Sequence, residues 1–167
     1  FFQGKDVITI EEHVQKIRAA VDARTDSDFL IIARCDALAV EGWAGTIRRC
    51  RAYKEAGADM VFVDGIGNME DLDIYAKQLS DIPRMLNADF APANEVAKRG
   101  FKIMINRGTM FAVYRAVKTV MEELKNNGFL GSAWSEESPK VRQEIGQLLG
   151  LGEIYEMERR YRSSVFV

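Results

Sequence analysis

Apolar residues gather in four short stretches along this chain, Phe29 to Ala33, Met60 to Val63, Arg84 to Leu86 and Lys102 to Ile105. Each is followed at once by polar residues: Arg34 and Asp36, then Asp64, then Asn87 and Asp89, then Asn106 and Arg107. The stretches do not alternate apolar with polar, as expected for strands buried on both faces. Between them lie segments of helical spacing. Glu11 to Arg24 lines up Val14, Ile17, Ala20 and Val21. Gly42 to Glu55 lines up Ile47, Cys50 and Tyr53 and stops at Gly57, a good helix terminator. Met69 to Leu79 carries Leu72, Tyr75, Ala76 and Leu79, and Pro92 to Lys98 is short and ends before Gly100. Thr109 to Asn127 is long, with Phe111, Tyr114, Val117, Val120, Met121 and Leu124 on one side, and ends at Gly128.

Strict alternation of strand and helix predicts an α/β fold, with parallel strands covered by helices. In such sheets ligands meet the C-terminal ends of the strands. All four polar clusters fall there, so they are expected to converge on one surface. Any strand must also end in something polar, and for a single residue that plainer reading is the stronger. After the long helix, Ser132 to Pro139 reads as a polar connector, Lys140 to Leu149 as a short helix, and Glu153 to Arg162 as a charged, aromatic tail. The expected division is residues 1–131 as the strand–helix body and 132–167 as a helical C-terminal tail.

Composition narrows the function classes. The chain has 167 residues, enough for one domain with a real core. Its net charge is -2 with both signs dispersed, so nothing favours nucleic acid. No apolar run nears the roughly 20 residues of a membrane span. Two cysteines, Cys35 and Cys50, and a single histidine, His13, argue against a disulfide framework or a histidine-rich metal site, and a reducing cytoplasmic setting is expected.

Two quoted segments carry a specific likeness: "EEHVQKIRAAVDARTDSDFLIIARCDALAVEGW" and "AYKEAGADMVFVDGI". Together they resemble the isocitrate lyase / phosphoenolpyruvate mutase superfamily, nearest to methylisocitrate lyase and its relatives. The likeness runs on more weakly through "MLNADF" and "GFKIMINRGTMFAVYRAV" to about Gly128. It implies the second half of a (β/α)8 TIM-type barrel, about four strands. It also implies a magnesium-dependent enzyme that cleaves or forms a C–C bond in a small α-keto or α-hydroxy acid such as 2-methylisocitrate. In that family the metal's aspartates come from the first half, and a mobile loop carries the catalytic cysteine. "FFQGK" resembles the end of that loop, so no catalytic residue is assigned and this chain alone is expected to be inactive.

By this resemblance Arg34 grips a substrate carboxylate, a task suited to a planar guanidinium. Asp64 stands near the magnesium, acting through water, and Asn87 helps hold the carboxylate. Asp36 is expected behind them, orienting Arg34. Asp89 departs from the family stretch and would repel a carboxylate. Arg107, where relatives often carry proline, sits in "NRGT" at a helix start and is a further substrate-binding candidate, with a solvated side chain as the alternative. Cys35 and His13 read as packed and ordinary helical residues. The family also implies a homo-oligomer with possible swapping of helix 109–127. The competing reading is a non-catalytic half-barrel that binds anions and self-associates.

Overall fold

The computed structural model describes residues 4–131 and 138–162. They fall into two compact units, Phe1–Met110 and Phe111–Val167. The first unit holds α1 (Ile10–Ala23), β1 (Ile32–Cys35), α2 (Leu38–Glu55), β2 (Met60–Val63), α3 (Met69–Gln78), β3 (Arg84–Asn87), α4 (Ala93–Lys98), β4 (Ile103–Ile105) and the first residues of α5 (Gly108–Asn127). The four strands form one parallel sheet in the order β1-β2-β3-β4. Neighbours in space are neighbours in sequence, as in a (β/α)8 barrel; doubly wound sheets instead reverse their order partway.

The packing is one-sided. Ala33, Cys35, Val61, Val63 and Leu86 face Ile17, Cys50, Tyr53, Leu72, Tyr75 and Val96 from the helices in one buried cluster. The opposite face carries a small separate cluster, Met60, Phe62 and Met85 with Ile32 and Ile103, to which no helix contributes. The sheet therefore has a helix-covered back and a front whose small buried cluster is built, among the described residues, from the strands alone. Period-two alternation puts Arg34 and Asn87 on the front.

Local chemistry sets the elements. Thr9 caps α1 by accepting the Glu12 N–H, and Asn68 caps α3 by accepting the Asp71 N–H. Gly42, at φ 63, turns the chain inside α2 in a conformation a Cβ would strain. The first strand begins later than its apolar run. Phe29 and Leu30 are exposed, the Phe29 N–H turns back to the Asp26 carbonyl, and the Asp59 carboxylate takes the Ile31 N–H. The turn and that side chain satisfy the backbone before the ladder starts at Ile32.

In the second unit, α6 (Ser138–Leu148) and α7 (Leu151–Tyr161) contact each other across a turn at Gly150, φ 69. Of the connector expected over Ser132 to Pro139, residues 132–137 lie outside the described residues. Among the described residues no helix is long and apolar enough to cross a membrane.

Candidate functional site

The C-terminal ends of the strands form a charged rim. Arg34 is the third residue of β1, and Asp64 directly follows β2, its N–H bonded to the Cys35 carbonyl. The Arg34 guanidinium lies over the Phe62 ring, 5.5 Å from its centroid. It donates to Asp36 along one edge, Nε to Oδ2 at 2.7 Å and Nη2 to Oδ1 at 2.9 Å. Nη2 also reaches Asp64 Oδ2 at 3.1 Å. Lys5 closes the cluster from the segment before α1, with Nζ 2.8 Å from Asp36 and 2.7 Å from Asp64. Nη1 of Arg34 has no protein partner among the described residues, and the side chain is 54% exposed.

Charge sets the protonation states. The Arg34 guanidinium, helped by Lys5, holds the Asp36 carboxyl at about 2. The hydrogen bonds Lys5 donates to Asp36 and then Asp64 raise it, and donation to Asp36 raises Arg34. Lys5, Arg34 and Asp36 are thus charged at neutral pH. Half-exposed ion pairs of this kind contribute only about 0.2–1 kcal/mol each, so stability alone is a weak reason for concentrating four charges here. A cavity of about 400 Å3 opens beside them, lined by Lys5, His13, Arg34, Asp36, Arg49 and Tyr53 among others.

Asn87 ends β3 on the same rim, opposite Ile105. Among the described residues no hydrogen bond ties it to the Arg34 cluster, and its Oδ1 is buried without a partner. Such an atom is costly to leave unsatisfied and is ready to accept from a ligand donor. Arg107 is engaged elsewhere. Its backbone N–H donates to Asp89 Oδ1 at 2.6 Å and its Nε lies 3.3 Å from Asp89 Oδ2. Cys35 is on the helix-covered face and 1% exposed. Cys50 donates to its sulfur, which lowers the Cys35 thiol, while that bond and burial raise Cys50. His13 stacks on Tyr53 at 4.2 Å, and burial, with Lys16 and Arg49 nearby, holds its imidazole below the usual value. The residue sequence reasoning missed is Lys5. Nothing in "FFQGK" signals a partner fifty-nine positions away.

A metal finds only part of a site. Asp36 and Asp64 are the two carboxylates that meet on the rim, and both are occupied by Lys5 and Arg34. Among the described residues no three His, Cys, Asp or Glu side chains converge to hold an ion. These residues do not by themselves make a magnesium site.

Comparison with known proteins supplies the context. Residues 2–125 match the family described as phosphoenolpyruvate phosphomutase. The 2-methylisocitrate lyase of Shewanella oneidensis is 37% identical over 131 residues, covering 75% of this chain and 45% of the relative. The crystal structure of 2,3-dimethylmalate lyase superposes with a TM-score of 0.78 at 30% identity, covering 95% of this chain and 57% of that one. Phosphonopyruvate hydrolase, solved with oxalate and Mg++, superposes at 0.72 with 28% identity, covering 97% and 60%. The chain spans about half the length of the curated relatives it matches, 52% and 45% of the first two. With the parallel one-sided sheet and these matches, the chain belongs to the phosphoenolpyruvate phosphomutase family, within the isocitrate lyase / phosphoenolpyruvate mutase superfamily of lyases and mutases of small carboxylic acids.

Proposed function

We propose that this chain supplies the carboxylate-gripping rim of a magnesium-dependent lyase or mutase. Its substrate is a small α-keto or α-hydroxy acid, resembling 2-methylisocitrate at the reacting end, cleaved at a C–C bond beside the carboxylate. The observation that carries this reading is Arg34. Asp36 fixes its guanidinium along one edge, which leaves Nη1 free on an exposed rim in a family of carboxylic-acid enzymes. A guanidinium so held can take a carboxylate without first losing its own rotational freedom. Asn87 Oδ1 would accept a hydroxyl or hydrated carbonyl donor of the same ligand, and Asp36 is a positioning residue that acts through Arg34. Asp64 would meet magnesium through water, the form in which this hard cation prefers to be held, with its main ligands outside the described residues. The reading assigns turnover to a barrel of the relatives' full length, and to this chain the binding of the acid. Arg107 would join the substrate only by leaving Asp89.

The experiment is a titration of the 15N-labelled chain with oxalate, read at the Arg34 Nε–H resonance in the unaltered chain and, in both the unaltered chain and its variant, at the backbone amides of residue 34 and Asp64. Saturable shifts are expected, weakened by about tenfold in Arg34→Lys, which keeps the charge and removes the planar fork. Equal binding by Arg34→Lys, or no response at Arg34, would sink the assignment. The second reading is a self-associating half-barrel that binds anions without turnover. It is favoured by the exposed Phe111, Val113, Tyr114, Val117 and Met121 of α5.

A further inference from the structure

Asp89 is two residues past Asn87, in the link from β3 to α4, and its carboxylate has a destination. Oδ1 accepts the backbone N–H of Arg107 at 2.6 Å and that of Gly108 at 3.1 Å, and Oδ2 faces Arg107 Nε at 3.3 Å. Gly108 opens the twenty-residue α5. Two backbone donors at the positive end of that helix, joined by a guanidinium, would suit the anionic group of a ligand. Here the chain's own carboxylate fills the place.

Capping does not require this. Asn106 already accepts the Gly108 N–H at 2.7 Å from within the same segment. Asp89 is a second acceptor on that N–H, arriving from nineteen residues away. Its position relative to Arg34 gives it another consequence. Arg34 is next to last in β1 and Asp89 follows β3, so both stand on the same rim, with Asn87 on the Asp89 side. A ligand gripped at Arg34 that reached past Asn87 would meet a carboxylate where a second anionic group would otherwise be welcomed.

We propose that Asp89 is a specificity-determining residue. By occupying the three donors of Arg107 and Gly108 it excludes a second anionic group from the β4–α5 end of the rim. The substrate therefore carries its carboxylate at Arg34 and an uncharged, hydrogen-bonding group toward Asn87. The unpaired Asn87 Oδ1 fits this, because it calls for a donor and not for another anion. This deepens the reading of the rim as a carboxylate site and rests on it.

The test uses the labelled chain with inorganic phosphate as the anionic probe, read at the Arg107 and Gly108 backbone amides. Asp89→Asn removes the charge and keeps the shape; Asp89→Ser keeps a capping oxygen and serves if the first variant does not fold. In the unaltered chain these amides should not respond saturably. In the variant they should, with apparent affinity raised by about tenfold, the size of one charge-assisted contact. Saturation in the unaltered chain overturns the proposal, and so does a folded variant whose two amides stay silent. The oxalate response at Arg34 is recorded in the same samples. Its loss there would count against the carboxylate rim, and its persistence with silent Gly108 would count against Asp89 alone.

Discussion

At Asp36 three cationic N–H groups converge on one carboxylate, Nε and Nη2 of Arg34 and Nζ of Lys5. Its carboxyl falls from 3.8 to about 2 in the folded chain. A depressed folded value means that the charged form favours the fold. That contribution is complete above the unfolded value and is lost as pH falls through the folded one. Urea unfolding followed between pH 3.8 and about 2 should therefore lose stability more steeply for the unaltered chain than for Asp36→Asn. Parallel curves would show that the pair is screened to insignificance. The place of these residues was legible: an apolar strand of four or five residues must end near Arg34, Asp64 and Asn87. What each one touches was not. Lys5 comes to Asp64 through the path of α1, and Asp89 comes to Gly108 through α4, and both approaches are tertiary.

Among the elements, β2 and β3 are joined in an unusual way. Their ladder pairs only Val61 with Arg84 and Phe62 with Met85, whereas β1 and β2 pair over four residues. Tyr75 of α3 occupies the gap. Its hydroxyl donates toward the carbonyls of Val61 and Met85, at 3.0 and 3.2 Å, and accepts the Val63 N–H at 3.3 Å. The side chain is fully buried, and burial pushes its hydroxyl well above the usual value. Tyr75→Phe removes one oxygen and strands backbone groups that water cannot reach. It should cost about 1–3 kcal/mol in equilibrium denaturation; a change near zero would mean that the two strands close up without it. The helical spacing of Leu72, Tyr75 and Leu79 announced a buried face. It could not announce that one of those side chains would act as a rung of the sheet, because spacing reports burial and not hydrogen-bond partners. The late start of β1 has a similar cause. Phe29 and Leu30 are as apolar as Ile32, and the competing Asp26 turn and Asp59 carboxylate decide the matter.

For the molecule as a whole, one apolar surface is exposed and a second, smaller one is packed by strands alone. One is the stripe of Tyr114, Val117, Met121 and Leu124 along α5, spaced by threes and fours, with Val141, Ile145, Ile154 and Tyr155 exposed on the other two helices of the second unit. A second copy of this chain is the partner proposed for it. Sedimentation at micromolar concentration should give a species heavier than 18.9 kDa, and Val117→Glu should shift it toward the monomer. A monodisperse monomer would end that proposal.

The other surface is the front of the sheet, where Met60, Phe62 and Met85 are 6–8% exposed and pack with Ile32 and Ile103. Phe62 is also the floor beneath the Arg34 guanidinium. Any body that covers this rim shuts bulk solvent away from the half-exposed cation. Attraction between unit charges grows roughly fourfold when the effective dielectric constant drops from about 80 to about 20. The strength with which Arg34 holds an acid therefore rises with every part of its guanidinium that is taken out of water.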